Sequence, residues 1–238
     1  MPQITTIIFD MYGTLVHNDP SLWITTLDEV CEHQGLPLTG QELWEQWRTI
    51  DPESRQKRTN LANPEKSPPF KTYEETWTNS FGKVLEKIGK GDPKAIAKRC
   101  VSETGCRKPF PETIRAITNL QTKGEFIFGM LSNSDNDSLN PLIETLNLNF
   151  DAVLSSESAR MYKPDPRIFK QMLNFLGVKA ENSLYVGDSQ WDDVQGGKLV
   201  GMQVAWVNRK GSQLNPELPP ADYILSDLSE LFNVLENN

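Results

Sequence analysis

Three apolar runs that break off at acids or hydroxyl groups constrain this chain more than any other feature. ITTIIFD (4–10), FIFGMLSNSD (126–135) and SLYVGDSQWDD (183–193) each begin as near-continuous β-formers and end in polar residues. DAVLSS (151–156), MQVAWVNR (202–209) and ADYILSD (221–227) repeat the style more weakly. Strands that are apolar on both faces belong in a sheet covered on both sides. Helical patterns lie between them. ETIRAITNLQTKG (112–124) places Ile114, Ile117 and Leu120 at helical spacing and stops at Gly124. DPRIFKQMLNFLG (165–177) has Asp165 as N-cap, Pro166 at the first helical position and Gly177 as the stop. DDVQGGKLVG and LSELFNVLEN are similar. Strands alternating with helices over 110–238 predict βαβ units, and so an α/β fold with a parallel sheet.

Residues 17–107 follow a different rule. SLWITTLDEVCEHQG, QELWEQWRTI, TYEETWTNSFGKVLEKIG and PKAIAKRCVSE are helical patterns with no convincing strand between them. Proline and asparagine gather in NLANPEKSPP (60–69), which reads as an exposed connector. The expected organisation is a core begun by residues 1–16, a helical insert over 17–107, and a core completed by 108–238.

Composition narrows the function. Hydrophobic residues at 37% and charged residues at 24% over 238 positions suit an ordinary globular protein with a real core. A net charge of −8 argues against nucleic acid, which needs a basic face. The one basic cluster, Arg55-Gln56-Lys57-Arg58, reads as a solvated loop or helix face. No run of 18 apolar residues suggests a membrane span, and the N-terminus has no basic, then apolar, leader pattern. Cys31, Cys100 and Cys106 are too few and irregular for a disulfide framework or a CxxC metal site, so a reducing cytoplasm is the expected setting. A monomer or homodimer is expected. If its substrate is a small anion, the acidic chain repels it at long range, so specific buried cations must hold it.

Ligands of an open parallel sheet bind beyond the carboxyl ends of its strands. The three strong runs place Asp10, Tyr12 and Thr14, then Ser132 and Asn133, then Asp188, Asp192 and Asp193 at those ends, with Lys163 ahead of the helix that Asp165 caps. The set DxYGT, LSN, YKPDP and GDSxxxD, in this order, resembles the four motifs of the haloacid dehalogenase superfamily, and the likeness spans the whole chain. It implies a Rossmann-like, doubly wound parallel-sheet core with a smaller all-helical cap domain. It also implies hydrolysis through an aspartyl ester formed on Asp10. Thr14 and Ser132 would offer hydroxyls to an anion, Gly13 a tight turn beside it, and Asn133 a polar contact. Lys163 would neutralise developing negative charge. The same resemblance implies Mg²⁺ on Asp10, the Tyr12 carbonyl, Asp188 and Asp193, with Asp192 competing for the last place.

Tyr12 divides the family. Its phosphatases carry a second aspartate there, which protonates the leaving alkoxide; a tyrosine, with a pKa of about 10, is a poor substitute. A halide needs no proton, and tyrosine at this place resembles the 2-haloacid dehalogenases. Those enzymes clasp the halide with a cap arginine, and Trp47-Arg48 resembles their Trp-Arg pair. Gly187-Asp188-Ser189 points the other way, since an acid beside Asp10 is repulsive without a cation. The sequence alone narrowly favours Mg²⁺-dependent hydrolysis of a small phosphorylated metabolite. A metal-independent 2-haloacid dehalogenase is the first alternative, and a weakly active or inactive ligand- or protein-binding relative the second.

Overall fold

A computed structural model describes residues 3–50, 55 and 57–236. Gln56 of the basic cluster lies outside the described residues. Six strands form one parallel sheet: β1 (Thr6–Phe9), β2 (Ile127–Ser132), β3 (Ala152–Ser155), β4 (Ser183–Gly187), β5 (Gln203–Val207) and β6 (Tyr223–Leu225), in the order β3-β2-β1-β4-β5-β6. The chain builds leftward from β1, then returns to β1's other side as β4, so the strand order reverses beside β1. That is the crevice where such sheets take ligands.

The register makes the polar strand ends level. Phe9 pairs with Met130 on one side and with Val186 on the other. Asp10, Leu131-Ser132 and Gly187-Asp188 therefore emerge together. Alternation divides the sheet's side chains between two cores. Ile7, Phe9, Met130, Leu184 and Val186 pack on one face, and Ile8, Leu131, Tyr185, Val204 and Trp206 on the other. Burial of both faces explains why these strands read as continuous apolar runs.

Between β1 and β2 lies a helical region with a separate core: α1 (Pro20–Gln34), α2 (Gly40–Trp47), α3 (Tyr73–Leu85) and α4 (Pro93–Thr104). Its centre is aromatic: Trp47 stacks on Phe81 at 5.1 Å, and Trp23 meets Trp77 edge-on at 5.2 Å. Capping boxes start α2 (Thr39 with Glu42) and α3 (Thr72 with Glu75).

The α-helices that follow α4 among the described residues are α5 (Thr113–Lys123), α6 (Asn136–Leu146), α7 (Ser156–Ala159), α8 (Pro166–Leu176), α9 (Gly196–Leu199) and α10 (Leu231–Glu236). Gly124 and Gly177 end α5 and α8 in the left-handed conformation, and Asp165 caps α8, as the spacing predicts. A π-turn over Gln190–Gln195 precedes α9. The connector at 60–69 is tied down, since Arg167 donates to the Pro64 carbonyl at 2.6 Å and pairs with Glu65 at 3.0 Å. No described helix is long and apolar enough to cross a membrane.

Candidate active site

The nucleophile candidate sits at the end of the central strand, buried, with a lysine against it. Lys163 donates to Asp10 Oδ1 at 2.7 Å, to Asp193 Oδ1 at 2.6 Å and to the Tyr185 hydroxyl at 2.9 Å. The backbone of Lys163 is clamped by Asn133, whose side chain accepts from its N–H at 2.8 Å and donates to its carbonyl at 3.1 Å. Asn133 thus positions the lysine from the end of β2. Tyr185 adds a second support by donating to the Leu131 carbonyl at 2.8 Å. Nothing in SLYVGD marks this tyrosine as more than a core residue.

Asp10, Asp188 and Asp193 each offer an oxygen within 4.8 Å of the others. Asp193 is further held by the Ser189 N–H at 2.9 Å. Asp192 also lines the cavity but lies outside this group of three and pairs with Arg58 at 3.6 Å. The π-turn explains this choice between adjacent acids. One extra residue is absorbed in the widened turn, so Asp193 faces the strand ends and Asp192 the helical region. Gly13 adopts φ +84°, and a Cβ there would lie 2.3 Å from Asp188 Oδ2, so a side chain has no room.

The charges are unevenly balanced. Burial, only partly offset by Lys163 and reinforced by Asp193, pushes the Asp10 carboxyl up to about 6. Asp188 opens to the cavity but is enclosed by protein elsewhere. That enclosure, with Asp193 and Asp10 beside it, holds its carboxyl well above the usual range. Burial opposes the charge on Lys163, yet Asp10 and Asp193 keep the ammonium well above the usual lysine range. One lysine among three carboxylates leaves negative charge for a divalent cation to balance. The donor set is all oxygen, so the residues fit Mg²⁺.

Above these groups is a cavity of about 270 Å³. Asp10, Tyr12, Asn133, Lys163, Asp188 and Asp193 line its floor, and Trp23, Arg55, Tyr73, Trp77 and Thr104 line its helical side. The buried hydroxyls of Thr14 and Ser132 have no hydrogen-bond partner among the described residues. Tyr12 is buried as well. Its hydroxyl lies near Ser138 and Thr104 but bonds to neither with ordinary geometry.

Two expectations fail in the helical region. Arg48 is exposed at the end of α2 and does not line the cavity. Its neighbour Trp47 is buried in the helical core and donates to Ser80 Oγ at 2.9 Å. Adjacent residues on a helix point about 100° apart, so a tryptophan packed inward turns Arg48 outward. Nor is the basic cluster simply solvated: Arg58 donates to the Tyr73 hydroxyl at 2.9 Å and lies 4.2 Å from the Tyr162 ring, while Arg55 reaches the cavity.

Asp135 is a site residue that sequence reasoning missed. It accepts from the N–H groups of Tyr73 at 2.7 Å and Glu74 at 2.9 Å, capping α3 from across the cavity. Burial, despite these two bonds, pushes its carboxyl up to about 6. LSNSD looks like a turn, and no local signal reveals a capping partner some sixty residues away.

A parallel sheet presenting an aspartate, a lysine and further acids beneath a helical cover defines a hydrolase class. The family model for haloacid dehalogenase-like hydrolases matches residues 4–201, and the chain belongs to that family. It is 29% identical over 213 residues to haloacetate dehalogenase H-2 of Moraxella sp. (strain B), covering 89% of this chain and 88% of that one. A phosphoserine phosphatase of Thermus thermophilus is 30% identical over 156 residues, 64% of this chain and 62% of that one. Among solved structures, the hydrolase YfnB of Bacillus subtilis bound to magnesium has the same fold, with TM-score 0.81, 21% identity, and coverage of 98% and 99%.

Proposed function

We propose that the chain hydrolyses a small 2-haloacid, releasing halide and a 2-hydroxy acid. Tyr12 carries this reading. It occupies the floor beside Asp10 where a phosphatase needs a proton donor, and burial raises its hydroxyl further above the ordinary tyrosine value. Such a group cannot serve as acid and then base near neutrality. Likeness over nearly the full length to a haloacetate dehalogenase supports the same choice, against a shorter match to a phosphatase. The narrow preference for phosphate esters drawn from motif four is therefore reversed.

In this reading an Asp10 oxygen attacks C2 of the substrate. The carbon–halogen bond breaks with its electron pair leaving on the halide, and an alkyl ester forms on Asp10. Lys163 holds the carboxylate ionised and aimed. Water then adds to the ester carbonyl carbon, and the hydroxy acid departs as the acyl–oxygen bond breaks. Asp188, facing the cavity with a raised affinity for protons, is suited to take the water's proton and return it to the departing alkoxide as that bond breaks.

The acid group sustains a second reading. Asp10, the Tyr12 carbonyl, Asp188 and Asp193 would hold Mg²⁺, which when bound supplies charge neutralisation for a phosphoryl group. One pair of assays separates the readings. Halide release from chloroacetate and 2-chloropropionate, unchanged by chelator, is expected. No halide release, with Mg²⁺-dependent release of phosphate from an alkyl ester, would reverse the assignment.

A further inference from the structure

Two crossings join the core to the helical region, one leaving β1 and one returning before α5, and they run side by side. Val16 bridges Pro109 in antiparallel fashion. The His17 N–H donates to the Lys108 carbonyl at 2.9 Å, and the Phe110 N–H to the Leu15 carbonyl at 3.1 Å. One side chain from elsewhere in the core reaches both crossings. Arg209 follows the end of β5, and its Nη2 donates to the Thr14 carbonyl at 2.9 Å and pairs with Glu112 at 2.6 Å. Its guanidinium carbon lies 3.6 Å from the centre of the Phe110 ring. A planar guanidinium can stack on a ring and still donate from its edge, which an ammonium cannot.

What Arg209 holds is the back of the nucleophile turn. Met11–Val16 closes on itself: the Leu15 and Val16 N–H groups donate to the Met11 carbonyl at 2.8 and 3.1 Å, and the Gly13 N–H to the Val16 carbonyl at 2.8 Å. None of these bonds uses the carbonyl of Thr14, which is fully buried. Among the described residues its donor is Arg209, 195 positions along the chain. A buried carbonyl left without a donor is costly, so this bond matters to where the turn sits. The front of the same turn faces the chemistry. Asp10 directly precedes it, Tyr12 lines the cavity, and Gly13 lies too close to Asp188 to admit a Cβ. Packed this tightly, the turn cannot shift at its back without shifting at its front.

We propose that Arg209 is a positioning residue for Asp10. Through the Thr14 carbonyl it fixes the Met11–Val16 turn from behind, while Phe110 and Glu112 hold the arginine itself in place. It touches neither the cavity nor the reacting atoms, so its effect falls on the geometry of attack and not on substrate binding. Misplacing a reacting group by about 1 Å can cost about a hundredfold in rate. The proposal rests on Asp10 as the nucleophile and on no choice of leaving group.

Wild type, Arg209→Met, Arg209→Lys and Glu112→Gln are to be compared in two ways. One is turnover of 2-chloropropionate and of an alkyl phosphate with Mg²⁺; the other is amide hydrogen exchange over residues 11–17. For whichever substrate wild type turns over, kcat should fall about tenfold or more in Arg209→Met with KM within about threefold. The Gly13, Leu15 and Val16 amides should exchange about tenfold faster in that variant. Arg209→Lys keeps the charge beside Glu112, so it folds even if Arg209→Met does not, and its kcat should fall about threefold or more. Glu112→Gln keeps an acceptor for Arg209 and removes the ion pair; it should melt lower yet hold kcat within about twofold of wild type. Folded Arg209 variants with the kcat and exchange of wild type would overturn the proposal. So would a loss of kcat in Glu112→Gln as large as in Arg209→Met, since turnover would then follow stability alone. Wild type inactive on both substrates, with exchange still faster in Arg209→Met, would count against the proposed substrates and keep the anchor of the turn.

Discussion

Replacing Lys163 by methionine removes the only ammonium that touches the acid group among the described residues. At 2.7 Å from Asp10 and 2.6 Å from Asp193, each contact is worth roughly 6 kcal/mol at an effective dielectric of about 20. Desolvating the buried ammonium offsets several kcal/mol of that, so the expected net loss of stability is about 3–5 kcal/mol. The loss must depend on pH. Without the lysine, the Asp10 and Asp188 carboxyls, already raised, are raised further above their unfolded values, so stability falls as pH rises through that window. Urea unfolding of Lys163→Met should show the smallest deficit near pH 5 and a larger one at pH 8. In wild type the lysine's own contribution is fully present below its unfolded pKa and is lost only in strongly alkaline solution, because its folded value is raised. Turnover should fall by about 10²–10³, with its acid limb moved upward. A variant within 1 kcal/mol of wild type at pH 8, with an unmoved acid limb, would refute this electrostatic reasoning.

Asp10→Asn should fold normally and lose all detectable turnover. In wild type, kcat/KM should fall tenfold per pH unit below about 6, because Asp10 must be ionised to attack. Asp135→Ala removes the acceptor for two N–H groups of α3 and should cost about 1–2 kcal/mol in thermal or urea unfolding. Asp135→Asn should also abolish the decline in stability that this raised carboxyl imposes between about pH 4 and 6, checked by parallel unfolding curves. Tyr12→Asp places a second charge beside Asp10, and halide release measured with an ion electrode should collapse.

The legible parts were those with local periodicity or punctuation. All six strands appear as apolar runs, and the glycine stops at 124 and 177 and the Asp165 cap fall where spacing puts them. Strand-end acids were readable because a parallel sheet gathers its carboxyl ends in one crevice. Helix Asn136–Leu146 was not, because Pro141 interrupts a polar-looking stretch. Asp192 and Asp193 could not be separated without the π-turn that rotates one residue away. Arg48 misled because adjacency to Trp47 says nothing about which face of α2 meets the cavity. Asp135 and Tyr185 act through partners distant in the chain, and only folding reveals those partners.

The central claim is that Asp10 displaces halide and carries the product as an alkyl ester. A single turnover of 2-chloropropionate in H₂¹⁸O, with enzyme in excess, tests it directly by mass spectrometry of the peptide containing Asp10. Because water attacks the ester carbonyl, the account predicts one ¹⁸O in the Asp10 carboxyl and none in the lactate formed. Label in the lactate with an unlabelled Asp10 would show direct displacement by water and contradict the account.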